Sequence, residues 1–191
     1  MTLTLQQLKT IMPAAARASL FLDPLNAAMA EFGIDTRLRV AAFLAQVGHE
    51  SGQFQFMEEL ASGAAYDGRV DLGNTNPEAV RIAAAHGSTP GKFWKGHGPI
   101  QITGYNNHLA AMLALHVDCV EQPRLLCEPV NGCRAAGWFW ETHGLAKWAD
   151  AGDIDGVSDV VNRGKKTVAI GDANGFTDRK AIYDRALKVL P

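Results

Sequence analysis

Three runs of this sequence carry side chains that can do chemistry. The first is His49-Glu50-Ser51-Gly52. Glu50 falls three residues after Val47 and seven after Phe43, on or beside the apolar stripe of a helix predicted over 36–51. Partial burial and the negative end of the helix dipole both favour a neutral carboxyl, the state from which a proton is given away. The plainer reading is a helix-edge Glu, solvated or paired with Arg39. A metal motif of the HExxH kind is ruled out, because the second His is absent and Gly52 breaks the helix, so no metal ligand set is expected. The second run is Glu58-Glu59, whose latter member lies nine residues after Glu50. Two carboxyls that bracket a scissile bond, roughly 6.5–9.5 Å apart, can protonate a leaving oxygen and activate a water. The third run, Gly96-His97-Gly98-Pro99-Ile100-Gln101-Ile102-Thr103-Gly104-Tyr105-Asn106-Asn107, opens on an irregular turn. Gln101 and Thr103 alternate along what reads as an extended segment, and Asn107 follows on the next helix. Amides and hydroxyls both donate and accept, which suits sugar hydroxyls; a strand with polar exposed positions would look the same.

Helical periodicity dominates the elements that must position these groups. A short helix is expected over 4–12 with Thr4 as its cap. A helical stretch over 13–32 is expected to break near Asp23-Pro24 and stop at Gly33. Asp35 is expected to cap the helix at 36–51. Residues 61–104 read as a long irregular region with short strands and one helix near 77–86, and a loop of that length is usually functional. Helices follow at 105–116, 131–143, 153–161 and 177–189, with Asn131 and Thr177 as candidate caps. The expected fold is mainly α: one catalytic domain over 1–191, with a helical core and a loop-rich cleft wall.

The composition excludes several classes. The 191 residues are 47% hydrophobic and 20% charged, with net charge -2, which is poor for a nucleic-acid binder. A DNA-binding helical domain is therefore disfavoured. Cys119, Cys127 and Cys133 are spaced by eight and six residues, which is no metal pattern, and reduced thiols are expected. The start, MTLTLQQLKTIMP, lacks the basic and apolar regions of a signal peptide, and no run reaches the roughly 18 apolar residues of a membrane span. No cofactor is implied. The basic helix near the end, with Arg179, Lys180, Arg185 and Lys188, is expected to dock Ile182, Leu187 and Leu190 on the core rather than a membrane. Trp138, Phe139 and Trp148 read as core, whereas Tyr66, Trp94 and Tyr105 are candidates to line a cleft.

Taken in order, the motifs resemble glycoside hydrolase family 19, the family of chitinases and phage endolysins. FLAQVGHESGQF looks like its first-acid motif, and EEL at 58–60 like the segment of its second acid. YDGRVDLGNT at 66–75 and GHGPIQITGYNNH are similar to runs of the bacterial and phage branch. AAGWFWETHGL, VVNRG and NGFTDRKAIYDRAL match its later motifs, so the resemblance covers roughly residues 35–190. It implies a lysozyme-like, two-lobed helical domain. It implies Glu50 as general acid, Glu59 as general base of an inverting mechanism, and Thr103 as the hydroxyl that holds the attacking water. Gln101, Asn107 and Asn162 match glycan-binding positions, and Arg179 an arginine that pairs with the acids. His49, Tyr66, Asp67, Arg69 and Tyr105 complete the candidate substrate-contacting set.

The chain departs from the pattern in places. Asp67 stands where the branch has Glu, His97 replaces an Arg and so removes a cation expected near the cleft, and residues 76–95 are longer than expected and would reshape one cleft wall. The branch resemblance, the lack of a leader and the few cysteines point to an endolysin that cuts peptidoglycan strands. It would be monomeric, without nucleic acid, membrane anchor or wall-binding module, made in the host cytoplasm and released through a holin-type pore. The alternatives are a chitinase and, less favoured, a non-catalytic glycan-binding protein.

Overall fold

The computed structural model describes all 191 residues. Ten helices follow in chain order: α1 (Leu5–Ile11), α2 (Ala18–Glu31), α3 (Arg37–Glu50), α4 (Pro77–Ala85), α5 (Pro90–Phe93), α6 (Tyr105–Leu115), α7 (Pro129–Thr142), α8 (Ala146–Asp150), α9 (Ile154–Arg163) and α10 (Phe176–Val189). The fold is mainly α, as the sequence implies, and extended chain is reduced to the isolated antiparallel bridges Glu58–His97 and His97–Ile102.

Helix α3 is the axis. Every residue from Val40 to Gly48 is buried, so it is covered all round and not along one stripe. Its small residues make this possible. A Cβ on Gly48 would lie 2.9 Å from the Met12 side chain of the α1 C-cap and 3.1 Å from Ile182 of α10. The main core gathers α1–α3 and α7–α10 around it. A second, smaller core of Ala79, Ile82, Ala83, Trp94, Tyr105 and Val120 supports residues 76–120. The smaller core marks the second lobe, and α6 joins the two, with Tyr105 in the smaller core and Ala111 and Leu115 in the larger.

Several local expectations change. Helix α2 runs straight through Pro24. Proline there removes the hydrogen bond to the Leu20 carbonyl, but Leu20 is 53% exposed, so water can serve that carbonyl while Phe21, Leu25, Ala28 and Met29 stay buried. Thr36, not Asp35, caps α3 through a hydrogen bond from the Arg39 N–H. Helix α7 begins at Pro129, before Asn131, and α10 begins after Gly175 (φ +69°), before Thr177. Thr4 caps α1 with a reciprocal bond from Gln7, as expected. The basic helix α10 lays Ile182 and Ala186 against the core beside α3. The three cysteines carry no disulfide. No helix is long and apolar enough to cross a membrane.

Candidate active site

Glu50 ends α3, where the helix leaves the core, and its side chain is 20% exposed. It is not paired with Arg39, which forms a two-pronged bridge to Asp150 at 2.7 and 2.6 Å. Its partner is Arg179 of α10, whose Nη2 donates to Glu50 Oε1. The same guanidinium donates through Nη1 to Gln46 Oε1 at 2.6 Å and through Nε to the Asn174 carbonyl at 3.1 Å. With 1% exposure Arg179 is fixed on three sides and reaches substrate only through Glu50, which makes it a positioning residue. Arg179 lies 129 residues away in the chain, so it is a partner that periodicity could not reveal.

Glu59 comes from the other lobe. Its backbone N–H donates to the Gly96 carbonyl at 2.8 Å, and the Gly96 N–H returns a bond to Glu59 Oε2 at 3.0 Å. The Tyr66 hydroxyl donates to Oε1 at 2.9 Å. Burial first, then the adjacent Glu59 charge, raises the Tyr66 phenol, so it stays a donor at neutral pH. Glu58, one residue earlier in extended chain, points the opposite way into a bridge with Lys95 at 3.0 Å and Arg124 at 3.1 Å.

Glu50 and Glu59 line the same cavity of about 370 Å³, together with Tyr66, Gln101, Thr103 and Asn162. A second cavity of about 540 Å³ shares Gln101, Thr103 and Asn162 with the first and extends it past Arg69 and Asn107, so the two form one groove between the lobes. Gln101 is not extended; its φ is +59°, and its side-chain Nε2 donates to the Gly98 carbonyl at 2.8 Å. The turn brings it to the groove beside Thr103 even so. Thr103 Oγ1 donates to the Gln101 carbonyl at 2.9 Å, which leaves its lone pairs for a ligand or a water. Asn162 accepts from the Asn174 N–H at 3.0 Å through Oδ1, so its Nδ2 hydrogens are unspent. Arg69 is held by Asp71 at 2.7 Å along the rim.

Four candidates do not reach the groove. His49 pairs through Nδ1 with Asp178 at 2.8 Å and packs on Gly175, where a Cβ would come within 1.9 Å of the ring. Asp67 accepts the Gly91 N–H at 2.8 Å and so pins α5 to the turn before it. Tyr105 is 6% exposed and packs edge-on against Trp94, itself fully buried with its Nε1 donating to the Val120 carbonyl. Residues 76–95 line neither half of the groove. His97 is also buried away from it, so the expected loss of a cation there does not apply to the groove. The sequence reading missed Ile100, Val161, Phe139 and His143 as lining residues. Phe139 and His143 share a face at i,i+4 and stack at 3.8 Å, a spacing that could have flagged them. No group of His, Cys, Asp or Glu side chains is arranged to hold a metal ion.

Residues 24–188 match the Glyco_hydro_19 family, described as chitinase class I. Curated relatives include Endochitinase At2g43620 of Arabidopsis thaliana, 34% identical over 109 residues, and Acidic endochitinase SP2 of Beta vulgaris, 31% identical over 110. These alignments cover 56% and 57% of this chain but only 34% and 35% of those proteins, so the chain matches about a third of their length. Among solved structures, chitinase C from Streptomyces griseus HUT6037 superposes with TM-score 0.71 at 20% identity, covering 98% of this chain and 76% of that one. The class IV chitinase from Zea mays gives 0.58 at 19%, covering 99% and 82%. At those identities the likeness establishes the fold, and the family match spans most of the sequence. The chain belongs to the glycoside hydrolase 19 family, chitinase class I.

Proposed function

We propose that this protein hydrolyses β-1,4 glycosidic bonds of an N-acetylated glycan by an inverting mechanism, and that its substrate is bacterial peptidoglycan. The observation that carries the reaction class is that Glu50 and Glu59, one from each lobe, line the same cavity. Protonated Glu50 gives its proton to the leaving glycosidic oxygen as the bond to the anomeric carbon breaks. Glu59 takes a proton from a water held by Thr103, and the hydroxide oxygen bonds to that carbon from the opposite face. Positive charge at the sugar ring builds and collapses in between. Each acid–base role supplies on the order of 100- to 10,000-fold in rate. The hydrogen bond from Arg179 to Glu50 supports the arginine–acid pairing that the family resemblance implies.

The choice of peptidoglycan rests on the YDGRVDLGNT run and the motifs after it, which resemble the bacterial and phage branch. In that reading residues 1–191 form one monomeric catalytic unit that meets the wall after release through a holin-type pore. Chitin is the second reading, favoured by relatives named endochitinases. Wild-type protein and Glu50→Gln are incubated in parallel with stripped Gram-negative walls and with colloidal chitin, and the new reducing ends are identified by mass spectrometry. The expected result is release from walls by wild type and none by Glu50→Gln, with unchanged circular dichroism. Release from chitin alone would replace the substrate. Full activity of Glu50→Gln would remove the mechanism.

A further inference from the structure

Residues 76–95 build a separate cavity of about 530 Å³ on the far side of the Glu58–Glu59 segment. Glu59 lines the groove, and Glu58 lines this cavity. His86, Lys92 and Phe93 of the segment meet Glu121 and Arg124 from the loop after α6, with His97 between them.

His97 is 2% exposed, and its hydrogen bonding fixes its tautomer. His108 places Nδ1 2.8 Å from the Gly104 carbonyl, which can only accept, so the His108 proton sits on Nδ1. His108 Nε2 is then a bare acceptor, and it lies 3.2 Å from His97 Nδ1, which must therefore be the donor. Both rings are neutral at pH 7. Burial and then the Lys95 charge push His97 down to about 4, and burial and then His97 push His108 down to about 3. The relay leaves His97 Nε2 as a lone pair with no partner in the protein. The buried polar atoms without a partner are Thr89 Oγ1, Trp140 Nε1, Trp148 Nε1 and Asp159 Oδ1, so His97 Nε2 is not sealed off and opens to the cavity.

A ligand here must bring a hydrogen to a nearly buried nitrogen. The formal charges of the lining cancel, Glu58 and Glu121 against Lys92 and Arg124, and Glu58 is bridged by Lys95 and Arg124. The lining therefore favours neither an anion nor a cation. It offers hydrogen-bonding groups of both kinds beside the half-buried Phe93 ring, a combination suited to a neutral ligand rich in hydroxyls and amides.

We propose that this cavity is a second, non-catalytic saccharide site that takes an N-acetylated sugar of the polymer, whose hydroxyl or amide hydrogen is donated to His97 Nε2. The proposal rests on the function given above, since it names a second contact with the same substrate. Such a site would hold a strand on the back of the wall whose front carries Glu59.

The test uses Glu50→Gln protein labelled with 15N at histidine and titrated with the N-acetylglucosamine tetramer. The expected result is a His97 ring that carries its proton on Nδ1 before titration and an Nε2 resonance that shifts as tetramer is added. Calorimetry would show a second binding event. The exposed double variant Lys92→Ala/Glu121→Ala, made in the same background, weakens that event and spares the groove. In the otherwise wild-type enzyme the double variant slows turnover of insoluble polymer but not of soluble tetramer. A proton on His97 Nε2 in the free protein, or an Nε2 resonance unmoved at saturation, overturns the site. If wild type cuts the polymer and His97 does not respond, the second site falls alone. If nothing is cut, the catalytic reading falls, and the His97 resonance still decides the second site.

Discussion

The grip on Glu59 is set by two donors that come from different places. One is the backbone of Gly96, which no substitution of a side chain removes; the other is the Tyr66 hydroxyl. Tyr66→Phe deletes the second while keeping the ring. A hydrogen bond to a charged group is worth about 1.5 kcal/mol or more, so kcat should fall about ten-fold with KM little changed. Steady-state kinetics on a soluble oligomer would read this, and an unchanged kcat would mean that Gly96 alone orients the carboxylate. The residues of this site were legible to different degrees. Glu50, Glu59, Gln101 and Thr103 lie in contiguous motifs, and the structure brings them to one cavity. His49, Asp67 and Tyr105 lie in the same motifs but turn to Asp178, Gly91 and Trp94. A motif marks positions under constraint; which way a side chain faces depends on the partner element, and the partner is distant in sequence.

Among the elements, α2 shows where local rules lose. Proline inside a helix costs about 3 kcal/mol relative to alanine, yet the helix continues from Ala18 to Glu31 because its buried face packs on α7. The contact is close: a Cβ on Gly137 of α7 would lie 2.3 Å from the Phe32 ring at the end of α2. Pro24→Ala restores a backbone donor while loosening the unfolded chain, so a net stabilisation of about 1–2 kcal/mol is expected. Urea denaturation would show it as a higher midpoint at unchanged slope. A lower midpoint would mean that the proline ring itself is needed in the packing. The helices at α4, α6 and α9 fall close to the expected 77–86, 105–116 and 153–161; Asn76 and Asp153 cap the first and last by accepting a backbone N–H of the first turn, and neither cap was expected. The four residues of α5 and the five of α8 are shorter than two turns and leave no periodicity to read.

At the scale of the molecule, the buried histidine pair links stability to pH. The folded state holds His97 at about 4 and His108 at about 3, against 6.5 for the free side chain. As pH falls below 6.5 the unfolded chain takes up protons that the folded one refuses. The stability from these groups is thus complete above 6.5 and is lost progressively toward pH 4 and 3. Each group contributes a slope of about 1.4 kcal/mol per pH unit within its window. Urea midpoints should fall steadily from pH 7 to pH 4.5; a flat profile would contradict the buried neutral pair. The two-lobed plan followed from the ordered motifs, whereas the lobe-internal core around Trp94 did not, because its members are scattered over 79–120 without a common period. Helices α3 and α10 make a different point. Glu50 is steadied by Arg179, 129 residues later in the chain, and His49 is wedged beneath Gly175 at the same junction. A ribosome finishes the acid long before the helix that braces it, and the nascent chain carries an unbraced carboxyl until α10 seats. The bond between Arg179 and Glu50 therefore waits for α10 to be made and to reach α3, and until then nothing from that part of the chain holds the Glu50 carboxyl in place.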